Sequence, residues 1–176
     1  MYAKNVLMLL ASAVIGFGAA AADETGSFDK AMETLKMLQN GLPFNLIKDF
    51  QEYKIVATHY RTDKKELRYI LANTEAFEAL KNNRLPLPEG SKVVKIGWNV
   101  KAMGNFPDAL EADEVQRIEY MVKDSKNYPA DGWGYARFVK TDGGYRSWDK
   151  GTQGCVSCHA AASDNDFLFT RYQKLH

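Results

Sequence analysis

Two cysteines and a histidine lie close together near the C-terminal end of the chain, in the segment Cys155-Val156-Ser157-Cys158-His159. This spacing matches the Cys-x-x-Cys-His signature of covalent haem attachment. Each thiol would add to one haem vinyl group, and the two intervening residues let both sulfurs reach neighbouring vinyls. The histidine that follows would lie beneath the iron, where an imidazole nitrogen is a natural axial ligand. The motif therefore predicts one covalent c-type haem, held by Cys155 and Cys158 and ligated by His159.

The same residues have other possible uses. An exported protein can oxidise a single pair of thiols to a disulfide. A thioredoxin-like redox pair would open a helix after an early strand, whereas this pair lies near the C-terminus after a glycine-rich approach. A zinc site would need more ligands than this segment offers, and His59 and His176 are the only other histidines. We therefore favour haem attachment, which would consume both thiols.

The N-terminal segment has the features of a secretory signal peptide. Residues 1–22 contain one charge, Lys4, followed by an apolar run from Val6 to Ile15 and by small residues up to Ala22. A positive start, an apolar core and an Ala-x-Ala exit are typical of a cleaved signal. The apolar core is shorter than the ~20 residues of a spanning helix, which disfavours a membrane anchor. We expect cleavage after Ala22, a periplasmic location and no membrane attachment after cleavage. Export would place the chain in the compartment where haem attachment takes place.

Residues 23–176 would then form a single domain. Loss of Lys4 lowers the number of basic residues from 23 to 22 against 22 acidic residues, so the processed chain has no net charge. This balance argues against nucleic acid as a partner, because such binding depends on Lys and Arg neutralising phosphates. The aromatic content of 12% supplies bulky side chains for a core.

Hydrophobic periodicity and turn residues predict an antiparallel β-sheet with a few packed helices, class α+β. We predict strands at residues 53–60, 66–72, 92–100, 115–123 and 133–140. Helices are predicted at residues 28–39, capped by Ser27, and at residues 75–81, capped by Thr74. Loops should span residues 85–90 and 101–108. Along the strand 92–100, Val94, Ile96, Trp98 and Val100 should face one side, and Val93, Lys95, Gly97 and Asn99 the other.

The function depends on the group that lies on the other side of the iron. An electron carrier usually fills this sixth position with Met or His. The processed chain offers Met32, Met37, Met103, Met121, His59 and His176, of which Met103, in a predicted loop, is the least unsuitable. The others are better explained as core, sheet or terminal residues. We therefore favour an open, five-coordinate iron that binds small molecules such as nitric oxide or hydroxylamine.

The chain resembles the cytochrome P-460 family, which includes the cytochromes c′-β. The resemblance covers most of the processed chain and follows an ordered series of segments that ends in the haem motif and the residues after it. The segments are Glu66-Leu67-Arg68-Tyr69-Ile70, Ala72-Asn73, Ala76-Phe77, Pro88-Glu89-Gly90-Ser91, Val93-Val94-Lys95, Val122-Lys123-Asp124-Ser125, Gly132-Trp133-Gly134-Tyr135 and Phe169-Thr170-Arg171. The resemblance implies a homodimer with one haem in each chain.

In catalytic members of that family a strand lysine is bonded to the haem macrocycle, and the matching position here is Lys95. The neighbouring Gly97 would leave space for a flat ring. These members oxidise hydroxylamine and have a nearby carboxylate that takes protons, for which Asp63, Glu66 and Asp149 are the candidates here. A solvent-facing lysine is the alternative for Lys95, and solvated carboxylates are the alternative for the acidic residues.

The c′-β members resemble gas-binding proteins, in which phenylalanines cover the iron. The charged segment Asp63-Lys64-Lys65 departs from such a cap, and Phe44, Phe50 and Phe77 could supply one from elsewhere. Arg68 and Arg171 are expected in apolar surroundings, where a haem propionate or an ordinary salt bridge would pair with them. Further candidates to line the haem are Trp133, Tyr135 and Trp148, with core packing as their alternative role.

Three functions follow from these features. The first is an enzyme that oxidises hydroxylamine at an open ferric haem, with nitric oxide as an intermediate or co-substrate and a cytochrome partner as electron acceptor. The second is a protein that binds nitric oxide without turnover. The third is an electron-transfer cytochrome with a filled sixth position. The sequence favours the first.

Overall fold

The computed structural model describes residues 32–174, and the predicted signal peptide lies outside the described residues. Six strands form one antiparallel sheet in chain order, β1 (Lys54–Arg61), β2 (Glu66–Ala72), β3 (Lys92–Met103), β4 (Phe106–Lys123), β5 (Trp133–Thr141) and β6 (Gly144–Ser147). Within residues 32–174, two α-helices accompany the sheet, α1 (Thr74–Lys81) and α2 (Gln153–His159). Short 3-10 helices lie at Phe44–Ile47, Phe50–Glu52 and Ala160–Asn165. The predicted α+β class, with a mainly antiparallel sheet, is confirmed.

The sheet buries apolar side chains on both faces. One face packs against the N-terminal segment of the described chain, which contributes Met32, Met37, Leu42, Phe44, Ile47 and Phe50. The other face packs against α1 and the segment around and after the cysteines, with Val156, Phe167, Leu168 and Tyr172. Along β3, Val94 and Ile96 face the first layer and Val93 faces the second, as the alternation predicted. Phe44 and Phe50 therefore lie on the opposite face of the sheet from the cysteine motif.

The predicted helix at residues 28–39 is wrong over its described part. Residues 28–31 lie outside the described residues, and residues 33–39 are not helical. Lys36 instead forms an isolated bridge with Pro43, and the Met37 amide donates to the Leu42 carbonyl at 2.9 Å. This folded-back segment buries both Met32 and Met37 against the sheet. Tertiary packing has overridden a helical pattern that was only local.

Helix α1 also differs slightly from the prediction at its N-terminus. The capping residue is Asn73 and not Thr74, since the Asn73 side chain accepts a hydrogen bond from the Ala76 amide at 3.3 Å. The same side-chain oxygen accepts from the Lys92 amide at 2.9 Å. Asn73 therefore connects the start of α1 to the start of β3.

The loop predicted at residues 101–108 is instead part of a long hairpin. β3 and β4 remain paired as far as Met103 and Phe106 and are joined by a turn at Gly104-Asn105. β5 pairs with β4 only from Arg117 onward, so Pro107 sits in a part of β4 with a free edge, where a missing N–H is tolerated. Met103 is 41% exposed in this hairpin.

Among the described residues, no helix is long and apolar enough to cross a lipid bilayer.

A buried ion cluster lies where β2, β3 and β4 run side by side. Glu66 is 3% exposed, and its carboxylate pairs with Arg68 and with Arg117, whose Nε is 2.6 Å from Glu66 Oε2. Gly97 lies between the two arginines in the register. A Cβ at Gly97 would stand 2.9 Å from Glu66 Cδ. The space over Gly97 is therefore taken by the Glu66 carboxylate, so the prediction that Gly97 leaves space for a flat ring is wrong.

This crowding predicts that Gly97→Ala destabilises the fold. The added methyl would push against a carboxylate that two arginines hold in place, at a cost of roughly 1–3 kcal/mol, as is typical of overpacking. Gly104→Ala is the matched control, because a Cβ at Gly104 would meet no atom within 4 Å. Urea unfolding of both variants and the unsubstituted protein measures the difference. Equal stabilities of the two variants would contradict this account of Gly97.

Candidate functional site

A cavity of about 350 Å³ lies between the sheet and helix α2. This volume is in the range of small-molecule pockets. Its floor is the face of the sheet that carries Val93 and Lys95, and α2 and the segment 168–170 form the opposite side. Cys155, Cys158 and His159 all line it. The three residues of the predicted haem motif therefore open into one cavity.

Helix α2 places these three side chains on the same side. Cys158 and His159 follow Cys155 by three and four positions, which are neighbouring positions on a helix surface. The amides of Cys155 and Val156 both donate to the Thr152 carbonyl, at 2.9 and 3.0 Å, which begins the helix. The two thiols are free, with Cys155 half-buried and Cys158 exposed. Burial raises the pKa of the Cys155 thiol.

The imidazole of His159 is held in one orientation. Its Nδ1 lies 2.6 Å from the Phe167 carbonyl oxygen. Because a carbonyl can only accept, Nδ1 must carry the hydrogen, which leaves Nε2 free to bind a metal. Burial lowers the pKa of His159, although the hydrogen bond to Phe167 opposes this, so the neutral ring of a ligand is favoured. The rings of Tyr135 and Phe169 each lie with centroids 5.2 Å from the imidazole.

The register of the sheet arranges the cavity floor in rows. One row pairs Val93, Met121 and Tyr135 across β3, β4 and β5 and is apolar. The next row contains Ile70, Lys95, Glu119 and Arg137. The third contains His59, Arg68 and Arg117, with Gly97 between the two arginines. The floor thus changes from apolar to ionic along the strands, as a macrocycle with anionic propionates would require.

The middle row contains a carboxylate between two cations. Glu119 pairs with the Lys95 ammonium, and Arg137 Nε lies 3.2 Å from Glu119 Oε1. Burial acts to raise the pKa of Glu119, but Lys95 and Arg137 outweigh it and hold that pKa below its usual range. The Arg137 guanidinium also lies 4.2 Å from the centroid of the Trp148 ring. Glu119 is therefore ionised at neutral pH and faces the cavity.

The structure brings some of the sequence candidates together. Lys95 and Arg68 line the cavity with the three motif residues, and Glu66 lies buried next to Arg68. Asp63 and Asp149 are not among the lining residues. Their side chains are 58% and 63% exposed and pair with Arg61 at 2.6 Å and with Arg146 at 3.4 Å.

Some of the aromatic and arginine candidates line the cavity and others do not. Tyr135 and Trp148 line the cavity. Trp133 is buried beside it, and its indole N–H donates to Asp166 at 3.3 Å. The expectation that Arg171 is buried is wrong, since this residue is exposed. Phe77 packs against Tyr172 with ring centroids 5.5 Å apart and is not among the lining residues.

The candidates for a sixth ligand are scattered. Met32 and Met37 are buried on the opposite face of the sheet, Met103 is exposed in the hairpin, and His176 lies outside the described residues. Met121 and His59 line the cavity floor. Burial, with the charges of Arg68 and Lys95, lowers the pKa of His59.

Sequence reasoning missed Glu119, Arg117 and Arg137. Glu119 lies between the buried Ile118 and Tyr120, and such a carboxylate within a strand is a signal that could have singled it out. The partners of all three depend on which residues face each other across β3, β4 and β5. That register cannot be predicted from any one segment of the sequence, because it depends on how separate strands pair.

These residues fit a haem. His159 offers a free Nε2, two free thiols stand on the same side of α2, and the buried Arg137 Nε makes no hydrogen bond although it is ion-paired with Glu119. The two ion clusters contain four cationic side chains and two carboxylates, Arg68, Arg117, Lys95 and Arg137 with Glu66 and Glu119. The clusters carry two surplus positive charges while Lys95 is an ammonium and one if Lys95 is bonded to a macrocycle, so the floor would favour anionic propionates in either case. Within residues 32–174, no cluster of three or more His, Cys, Asp or Glu side chains could hold a metal ion directly.

Comparison with known proteins agrees with this geometry. A comparison with curated proteins gives no match. The sequence model of the family described as Cytochrome P460 matches residues 47–170, more than half of the chain. The match includes the strands of the cavity floor, helix α2 and the turn that holds His159. The chain therefore belongs to the cytochrome P460 family, and it is a cytochrome that binds haem iron.

Proposed function

We propose that this protein is a periplasmic mono-haem c-type cytochrome that oxidises hydroxylamine at an open iron, with nitric oxide as an intermediate or co-substrate. The electrons pass to a cytochrome partner. The observation that carries the proposal is the Lys95–Glu119 pair, which lies in the same cavity as Cys155, Cys158 and His159. A lysine for the macrocycle and a carboxylate for protons are the two features that the family resemblance assigns to the catalytic members.

The chain's own residues would hold the cofactor covalently. The haem supplies an iron that changes oxidation state and has a position for a small ligand. Cys155 and Cys158 would hold it as thioethers, each S–H adding across one vinyl double bond. His159 would bind the iron through Nε2 while its Nδ1–H donates to the Phe167 carbonyl. Arg68, Arg117 and Arg137 would neutralise the propionates.

Glu119 is the residue best placed to take protons from the substrate. Oxidation of hydroxylamine releases protons together with electrons, and an ionised carboxylate in the cavity can accept them. While Lys95 is an ammonium, it lowers the pKa of Glu119 and so weakens it as a base. A Lys95 nitrogen bonded to the macrocycle no longer carries that charge. Attachment of Lys95 would therefore make Glu119 a stronger base.

The placement of other residues favours this function over the two alternatives. A gas-binding protein of the c′-β kind needs phenylalanines over the iron, but Phe44 and Phe50 lie on the opposite face of the sheet. An electron carrier needs a sixth ligand, and Met103, the candidate in the predicted loop, is exposed in the hairpin. Met121 and His59 line the cavity floor and are the candidates that an electron carrier would have to use. Cys158 is exposed and Phe169 is 59% exposed beside the His159 ring, so the motif lies near the surface, where electrons can leave to a partner.

The location and assembly of the protein are part of the same proposal. The signal peptide at residues 1–22 directs the chain to the periplasm, where haem attachment takes place. Met103, Phe106 and Leu110 expose apolar side chains at the β3–β4 hairpin, with exposed fractions of 41%, 58% and 59%. Exposed apolar side chains of this size are typical of surfaces that associate. They support the expectation of a homodimer.

The first test addresses covalent attachment. Purified from a host that matures cytochromes, the unsubstituted protein should have an intact mass that includes one haem resistant to acid-acetone extraction. The variant with both Cys155→Ala and Cys158→Ala should lose this attachment, because no thiol remains to form a thioether. The variant with Ser157→Ala alone is the control and should keep the haem. Haem that resists extraction in the double variant would contradict the assignment.

The second test addresses Lys95. The reduced protein should show a displaced and broadened Soret band, because a bond from Lys95 would distort the macrocycle and change its electronic structure. Lys95→Ala should keep the haem but restore an ordinary c-type spectrum. Lys101→Ala, at a lysine on the same strand whose side chain is 54% exposed, should leave the spectrum unchanged. An identical spectrum before and after Lys95→Ala would show that the lysine does not bond to the ring.

The third test addresses turnover and its proton acceptor. Hydroxylamine should reduce the ferric protein in stopped-flow experiments, and Glu119→Gln should slow this by about 10²–10⁴-fold, the usual contribution of a general base. The ratio of the two rates should approach one as the pH is lowered through the pKa of Glu119, since a protonated carboxyl cannot accept a proton. Protonation of hydroxylamine affects both proteins alike and cancels in this ratio.

The control for this test is Glu114→Gln, which removes an exposed carboxylate paired with Lys140 at 2.6 Å. Its rate should match that of the unsubstituted protein. A protein that binds nitric oxide but is not reduced by hydroxylamine would be a gas binder and would end the enzyme proposal. Normal reduction in Glu119→Gln would reject Glu119 alone.

A further inference from the structure

We propose that the buried ion pair between Lys123 and Asp166 positions the imidazole of His159. It does so by fixing the turn that carries the Phe167 carbonyl, the hydrogen-bond acceptor of His159 Nδ1. Lys123 and Asp166 would thus be positioning residues for the iron ligand, although neither contacts the haem site directly. The inference rests on the proposed haem site and is independent of the reaction that the haem performs.

The turn between the 3-10 helix Ala160–Asn165 and the following segment has an unusual backbone. Asp166 has φ 50° and ψ 42°, and Phe167 has φ 65°. Two consecutive residues other than glycine thus adopt the left-handed region, which such residues seldom do. Conformations of this kind persist when surrounding contacts hold them. The conformation aims the Phe167 carbonyl at His159 Nδ1, 2.6 Å away.

The contacts that hold this turn converge on the Asp166 carboxylate. Its Oδ1 accepts from Lys123 Nζ at 2.7 Å and from Trp133 Nε1 at 3.3 Å. Its Oδ2 accepts from the Leu87 amide at 2.7 Å. Both charged side chains are almost fully buried, with 8% of Lys123 and 7% of Asp166 exposed. The carboxylate therefore fastens the turn to the end of β4, the start of β5 and the loop after α1.

The rest of the turn is held mainly by its own hydrogen bonds. The Phe167 amide donates to the Ala162 carbonyl at 2.9 Å, and the Asn165 side chain donates to the Leu168 carbonyl at 2.6 Å. These bonds give the turn its shape, and the apolar side chains of Phe167 and Leu168 pack it on the sheet. The Asp166 carboxylate adds the directional bonds to β4, β5 and the loop after α1. A buried ion pair adds little to stability compared with apolar residues of the same size, whereas it can fix one arrangement. Placement is the role that these contacts indicate for the pair.

The position of the Phe167 carbonyl affects the chemistry of the ligand. An acceptor on Nδ1–H increases the electron density on the ring and makes Nε2 a stronger donor to iron. A stronger donor stabilises the ferric state. If the turn loosens, the hydrogen bond lengthens, the iron–histidine bond weakens and the reduction potential rises.

The experiment uses the haem-loaded protein with Asp166→Asn and, separately, Lys123→Met. Asparagine accepts the left-handed conformation, so Asp166→Asn removes the charge while keeping the shape of the turn. In both variants the iron–histidine stretching band of the reduced protein, measured by resonance Raman spectroscopy, should move to lower frequency. The reduction potential should become more positive. Thermal unfolding is recorded alongside.

The control is Glu89→Gln, which disturbs the same loop between α1 and β3. Glu89 accepts from Ser125, at 3.0 Å from the amide and 2.6 Å from the hydroxyl, and does not contact the turn. It should change neither the Raman band nor the potential. Variants of Asp166 and Lys123 that lose thermal stability while both readouts stay fixed would overturn the inference, because the pair would then be structural only.

A third variant covers the case in which neither single substitution gives haem-loaded protein. The combination Lys123→Met with Asp166→Asn removes both charges and leaves no unpaired charge in the core. It should show the same two shifts, and an unshifted band and potential would reject the positioning role. If the unsubstituted protein contains no covalent haem, the proposed haem site fails. If it contains one and the variants do not shift, only the role of the ion pair fails.

Discussion

The pairing register between β3 and β4 is the constraint on which the site depends. It sets Lys95 opposite Glu119 and Gly97 opposite Arg117. Because side chains alternate between the faces of a sheet, a slip of one residue in β4 would move Glu119 into the apolar core on the other face. The buried Ile118 and Tyr120 on either side of Glu119 oppose such a slip, since they would be forced toward the cavity. The apolar core on one face of the sheet thus fixes the position of the ion-paired residues on the other face.

Charge balance explains why so polar a floor is tolerated inside the fold. Burial of an unpaired charge is costly, and both carboxylates of the floor are flanked by two cations each. The pairs nevertheless leave surplus positive charges, two while Lys95 is an ammonium and one if it is bonded to the macrocycle. In a chain that belongs to a haem-binding family, an anionic cofactor is the natural group to neutralise them. The polypeptide and the haem propionates would then complete one another electrostatically.

The sequence predicted the parts of this structure that depend on local patterns. The alternation in β3 placed Val94 and Lys95 on opposite faces, and the Cys155–His159 spacing predicted which side chains share a cavity. The helix predicted at residues 28–39 failed because its apolar residues are explained equally well by a segment that folds back and packs on the sheet. Pro107 suggested a loop, but the free edge of β4 tolerates it. Glu119 and Arg117 were missed because their roles come from partners on other strands, at long sequence separation.

The sheet side and the His159 side of the cavity are built by different means, so the geometry of one side can change while that of the other is kept. The sheet supplies Lys95, Glu119 and the arginines through its pairing register, whereas His159 depends on a short helix and on a turn held by apolar packing and by the contacts of Asp166. Lys123 is the point at which the two meet, since it ends β4 and pairs with Asp166 in the turn. If His159 is the iron ligand and Glu119 the proton acceptor, as proposed, changes in the turn would alter the donor strength of the imidazole while the sheet side of the cavity keeps its geometry. The fold would in this way tune the iron without disturbing Lys95 and Glu119.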